Sequence, residues 1–274
     1  MCIMAFDINS FVIDRPVRGF MQHKTTDEVL FLINQIEDPS LTVNADTVEA
    51  TDALGAPIMF FDRAKSCEFS ASNSLLDLGL LAAQNGTAKQ VAGTNNKISV
   101  VYNEEVKWVT GKTVTLKHKP TGVAGAEIPF IYKLNNDGTF GKKYTCAATA
   151  GEDKFKVDAA TSSITPPTNV TVEERAFIIY TFEADGTENN GAVQVTGDGV
   201  NFPTAGKFTL EVLGADTCDI STKYYAYLHF PNAKMQSNFD LTLTTEGKHP
   251  FTIKCMQDYC DNEKKLFTLT VPET

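Results

Sequence analysis

The sequence predicts a mainly β fold: a sandwich or barrel with one flanking α-helix, about residues 73–86, and a β-rich insert at 111–167. Three observations carry this. The last seventy residues alternate apolar strands with turns at regular spacing, the mark of a sandwich or barrel. A single stretch, Phe69 to Gly86, carries a broad helical apolar band. Separate hairpin signals, Asn135-Asn136-Asp137-Gly138 the strongest, crowd the middle of the chain.

The elements follow in chain order. Residues 1–24 mix apolar and charged side chains around Arg15-Pro16 and read as an extended arm, or one strand, rather than a packed element. Glu28–Ile36 is a dense apolar run and reads as a buried strand, although a short run leaves helix open. Leu41–Ala50 alternates like a half-exposed strand. Thr51–Gly55 is a turn in which Gly55 can take a positive φ. Ile58–Phe61 and Lys65–Phe69 form a strand pair or one bent strand. In the helix, Ser70, Ser72, Asn73 and Ser74 offer N-cap oxygens. Leu75, Leu76, Leu78, Leu80 and Leu81 supply its packing band, and Gly86 is its left-handed stop.

Ile98–Val109 reads as a strand, or a pair bent at Asn103-Glu104. Thr113–His118, Glu127–Leu134, Thr139–Ala147, Lys154–Val157 and Ile164 follow before the break at Pro166-Pro167. A strand centred on Ala176–Tyr180 leads into the Gly-, Asn- and Asp-rich stretch 184–200, a loop or hairpin tip. The closing meander is Lys207–Leu213, Lys223–Phe230, Phe239–Thr244, Pro250–Met256 and Leu266–Val271, with a turn at Pro231-Asn232. The expected division is 1–110 and 168–274 as parts of one domain, with 111–167 as an insert or small second module.

With 274 residues and 42% hydrophobic content, a sizeable core is within reach. The 24 basic residues against 34 acidic ones give a formal charge of −10. That opposes tight nucleic-acid binding, which needs cations to displace phosphate counterions. The same charge keeps a protein soluble, and it equally suits a surface past which DNA must slide. The first residues show no basic n-region, and no apolar run approaches the ~20 residues of a membrane span. No membrane partner is expected.

Catalytic and metal patterns are weak. His23, His118, His229 and His249 are not spaced as a helical metal pair. Gly111-Lys112-Thr113 ends like a phosphate loop, but Val106 stands where the first Gly belongs, so it reads as a turn. Cys255, Asp258, Cys260, Asp261 and Glu263 fit neither a zinc knuckle nor an EF-hand and read as an acidic turn. Glu104-Glu105 and Glu173-Glu174 are adjacent, so in a strand they face opposite ways, a poor geometry for sharing one substrate bond. The six cysteines show no framework and read as reduced thiols. The expectation is a protein that is not an enzyme and has no cofactor and no metal.

What the chain does show is the segment TDALGAPIMFFDRAKSCEFSASNSLLDLGLLAAQNGT, followed by FPTAGKFTLEVLGADTCD, YAYLHFPNAKM and FDLTLTTEGKHPFTIKCMQDY. These stretches, roughly 45–90 and 200–272, resemble the major tail, or tail tube, proteins of tailed bacteriophages. The resemblance implies a tail-tube-like β-sandwich or barrel protomer carrying a flanking helix. It implies six protomers to a ring, stacked rings, and a bore that conducts DNA during ejection. The implied partners are further copies of the chain, other tail proteins such as sheath or tape measure, and DNA in transient passage. The implied place is the virion tail, after assembly in the host cytoplasm.

Under that reading the Thr42–Asp62 region or the 184–200 loop contacts the adjacent subunit or the next ring, and the first is preferred because its polar strands, joined by a long hairpin, suit an edge. Asn44, Asp46, Thr47, Glu49, Thr51, Asp52 and Arg63 are the candidate subunit contacts. Two other classes compete. A head decoration, capsid or tail terminator protein would share this composition and differ in its place in the particle. A carbohydrate-binding β-sandwich would need exposed aromatic rings with convergent polar groups.

Overall fold

The computed structural model describes residues 8, 10–258 and 264–273. Strand accounts for 55% of it and helix for 3%, so the fold is mainly β with one helix. In chain order the elements are β1 (Phe11–His23), β2 (Val29–Ile33), β3 (Ile36–Thr51), β4 (Pro57–Asn73), α1 (Leu78–Asn85), β5 (Gln90–Val91), β6 (Ile98–Trp108), β7 (Val114–Thr115) and β8 (Phe130–Leu134). Then come β9 (Phe140–Cys146), β10 (Lys154–Asp158), β11 (Ser163–Thr165), β12 (Glu174–Ala184), β13 (Val193–Gln194), β14 (Ala205–Asp216), β15 (Asp219–Met235), β16 (His249–Cys255) and β17 (Thr268–Thr270). The chain forms two compact units, one of residues 1–89 and 195–274, the other of residues 90–194. The second is wider than the 111–167 segment marked by turn signals. It takes in β6 and β12, which pair along their whole lengths, from Ile98↔Ala184 to Trp108↔Glu174.

The first unit is one sheet in the order β2-β1-β14-β15-β16-β4-β3, with β17 paired to β15. β14 lies deep in this sheet and is buried at most positions, as a strand flanked on both edges must be. Its one buried carboxylate, Glu211, is ion-paired with Arg18 directly opposite on β1. The core gathers phenylalanines: Phe69 lies 5.5 Å from Phe208 and 5.8 Å from Phe230, ring centre to ring centre. At one end the sheet nearly closes on itself. A Cβ on Gly19 of β1 would stand 3.0 Å from Ile36 of β3 and 3.1 Å from Phe208, so only glycine permits this approach without displacing them.

The second unit holds the sheet β6-β12-β8-β9-β10-β11-β7 around its own core of Trp108, Ile131, Phe155, Ile164, Ile178 and Tyr180. Its chain ends meet in the two-stranded pair β5–β13, Gln90 opposite Gln194.

Several expectations are corrected by partners distant in sequence. The helix begins at Leu78, not near residue 73, because Asn73 is still in β4, paired with Ile36 on one side and His249 on the other. Its N-cap is Asp77, whose carboxylate accepts from Leu80 N at 2.7 Å, and Gly86 stops it at φ 67° as expected. Leu80 is fully buried, whereas Leu75 (60% exposed) and Leu76 (52%) precede the helix and lie in the open. Leu78 and Leu81 are half-buried.

Of the two readings left for the N-terminal stretch, Phe11–His23 is the strand, and it is a packed one, laddered along its length to β14. The Glu28–Ile36 run splits into β2 and the start of β3, and Phe239–Thr244 forms no strand. Nor does β6 bend at Asn103-Glu104. Pro231-Asn232 is not a turn. It sits inside β15 where Lys207 alone faces both residues, a bulge that tolerates proline's missing N–H.

Candidate assembly interface

β3 and β4 form the longest antiparallel ladder of the first unit, from Ile36↔Asn73 to Thr51↔Pro57. Its root is core: Cys67, Phe69 and Ala71 of β4 are buried. Beyond Cys67 the ribbon leaves the body. From Pro39 to Ser66 every residue is exposed except half-buried Ala50. A two-stranded ribbon on its own is marginal in water, and this one is steadied at its root, where β4 pairs with β16.

The tip is built locally. Asp52 Oδ1 accepts from Leu54 N at 2.9 Å and Ala56 N at 2.8 Å, and Gly55 N donates to the Asp52 carbonyl at 3.1 Å. Gly55 takes φ 85°, the left-handed conformation the turn requires. Leu54 at the apex is 94% exposed. The root is held by charge. Lys248 Nζ lies 2.5 Å from Glu37, and Ser74 Oγ donates to the same carboxylate. These contacts hold the Glu37 carboxyl below its ordinary range, Lys248 contributing most.

Midway along the arm, Ala45 pairs with Lys65 but Thr47 with Asp62, so β4 carries one extra residue at Arg63-Ala64. Strand alternation then sets the two faces. Between the bulge and the tip one face carries Val48, Ala50, Met59 and Phe61 and is apolar. The other carries Thr47, Glu49, Asp62, Phe60 and Ile58, and Phe60 is 63% exposed. Among the described residues the outer edge of β3 has no ladder partner, which leaves a row of N–H and C=O groups outside any ladder.

Asn44, Asp46, Thr47, Glu49, Thr51, Asp52 and Arg63, marked from the sequence, all lie on this arm and are all exposed. Among the described residues none of Asp46, Glu49, Asp62 or Arg63 forms an ion pair. The same arm also exposes Val48, Leu54 and the run Ile58–Phe61, which the polar reading did not include. Four consecutive apolar residues beside a turn were the available signal, since a half-buried strand would alternate.

The other candidate chemistry is structural. Glu104 is buried and accepts from Tyr180 Oη at 2.8 Å, while Glu105 points outward to Arg175. Burial and this carboxylate push the Tyr180 phenol up. Glu173 and Glu174 are likewise parted, towards Lys107 and Lys133. Among the described residues no group of three or more His, Cys, Asp or Glu side chains is placed to hold a metal. Cys260, Asp261 and Glu263 lie outside the described residues. No described helix is long and apolar enough to cross a membrane.

The profile of the YomU/Tube protein family matches residues 16–268, which takes in the arm and both units. No curated protein matches the chain. A match over nearly the whole length, on a mainly β body with one helix and a bare projecting ribbon, carries the conclusion that the chain belongs to the YomU/Tube protein family.

Proposed function

We propose that the chain is a tail tube subunit. Copies join through the β3–β4 arm into rings, six to a ring as the tail tube resemblance implies, and the rings stack into a channel that conducts DNA. The observation that carries this reading is the arm itself. An uncovered strand edge with exposed Val48, Ile58, Met59, Phe60 and Phe61 is a liability in a lone molecule and a pairing surface in an assembly. A projecting element met by a different surface of the next copy makes a heterologous contact, the kind that closes into rings.

Charge supports the channel. The arm-bearing unit has 22 acidic residues against 13 basic ones, while residues 90–194 have 12 against 11. The acidic excess therefore belongs to the part that assembles, where it keeps phosphate from sticking. Sheath or tape-measure proteins are the further partners, the virion tail is the location, and the role is structural rather than enzymatic. Electron microscopy of the purified protein tests this. Rings or tubes are expected, and particles that stay monomeric at high concentration with phage components added would refute it. Antibody label on the head instead of the tail would favour another virion protein.

One observation favours a carbohydrate-binding role for the second unit. Its outer sheet face carries Tyr132, Phe140 and Phe177 in a chain of ring contacts at 5.4 and 5.3 Å, and Phe140 is exposed. Lys143 stands 3.5 Å above the exposed Phe130 ring. Saturable binding on a glycan array, lost on Phe140→Ala, would support this role.

A further inference from the structure

Cys67 and Cys255 stand directly opposite each other in the β4–β16 ladder. Residues so placed have Cα atoms about 4.5–5.5 Å apart, inside the span of about 4.4–6.8 Å that a disulfide accepts. Opposed residues share a face, and the two thiols are within hydrogen-bonding reach of each other. Both are free, Cys67 buried and Cys255 half-buried. The other described cysteines, Cys146 in the second unit and exposed Cys218, are not opposed to either in any ladder.

We propose that Cys67 and Cys255 are an oxidative modification site, forming a cross-strand disulfide when the protein meets a low-molecular-weight disulfide oxidant. The half-buried Cys255 thiolate attacks the oxidant R–S–S–R, and one RS⁻ leaves. Cys67 then gives up its proton and attacks the Cys255 sulfur of the mixed disulfide, expelling the second RS⁻. The two protons lost by the cysteines are taken up by the two leaving thiolates. The protein is oxidised by two electrons, and one R–S–S–R is reduced to two RSH.

Burial raises both thiols above their ordinary value, so the reaction is slow at neutral pH and accelerates as pH rises. Its place gives it a consequence. Cys67 is the last buried residue of β4 before the exposed arm, so the bond ties the arm's root to β16. The chemistry stands whether or not the arm meets another copy.

The test is to hold the native full-length protein with oxidised glutathione at about pH 8.5, where an unperturbed thiol is half ionised. Free thiols are then alkylated under denaturing conditions and the peptides mapped. The expected result is joint loss of label at Cys67 and Cys255 with one linked peptide lighter by two hydrogens, reversed by dithiothreitol. In Cys255→Ser, Cys67 keeps its label. Full label on both residues of the wild-type protein after prolonged oxidation overturns the proposal. So does a link from either residue to a different cysteine. The wild-type map decides the matter even if the variant does not fold.

Discussion

His249 Nε2 lies 2.7 Å from Gln84 Oε1, a buried hydrogen bond that fastens α1 to β16. Gln84 also donates its Nε2 to the Pro250 carbonyl at 2.9 Å, so its oxygen must accept and His249 Nε2 carries the proton. That leaves His249 Nδ1 as a buried acceptor without a partner among the described residues. Burial holds this imidazole below its ordinary value, partly countered by Asp77, and burial acts on His229 in the same direction. The folded state therefore resists protonation that the unfolded chain accepts. Below about pH 6.5 the unfolded chain binds more protons, so stability falls as pH drops towards the folded-state value. Urea titrations should show a lower midpoint near about pH 5 than near about pH 7.5, and His249→Gln should flatten part of that slope.

Leu80 is the helix residue that matters to the core. Leu80→Ala should cost about 2–5 kcal/mol by opening a cavity. Leu75→Ala and Leu76→Ala should each stay within about 0.5 kcal/mol. Urea denaturation of the three variants separates these outcomes.

Gly86 ends α1 with a left-handed backbone, and a Cβ there would meet the Phe202 backbone at 2.2 Å. Gly86→Ala should lose more than about 1 kcal/mol from the conformation alone, with a further loss from the clash. Thermal melts should show the drop, and circular dichroism should show a shortened helix.

The arm should separate assembly from folding. Phe60→Ser with Phe61→Ser changes exposed positions, so the melting transition should move by no more than about 0.5 kcal/mol per site. Sedimentation of concentrated protein should show assembly weakened at least about tenfold, which corresponds to about 1.4 kcal/mol of lost contact. Unchanged assembly would place the subunit contact elsewhere.

The second unit should be removable. Its ends pair at Gln90 and Gln194, and just outside them Thr87 Oγ1 donates to the Thr196 carbonyl at 2.9 Å. Joining Lys89 to Val195 should leave a body that still unfolds cooperatively, and residues 90–194 should fold alone around Trp108. Tryptophan fluorescence follows the isolated unit, and far-ultraviolet circular dichroism follows the remainder.

Elements whose cause is local were legible in the sequence. The turns at Asp52–Gly55 and Asn135–Gly138, the stop at Gly86 and the alternation in β10 and β12 depend on nearby residues. What could not be read depends on remote partners. Asn73 looks like a helix cap but is claimed by a ladder to His249. Phe239–Thr244 alternates like a strand yet pairs with no strand among the described residues. Pro231 looks like a break until Lys207 is seen opposite the bulge. The arm was harder still. The run Ile58–Phe61 is as apolar as any core strand, and apolarity does not say whether its cover comes from the same chain or another.

Four apolar residues in a row on a two-stranded ribbon fall on both of its faces. Near the tip one flank of this finger is greasy, with Val48, Ala50, Met59 and Phe61, and the other sets acid and hydroxyl groups beside Phe60 and Ile58. A single projection can therefore be gripped from two directions by surfaces of unlike character.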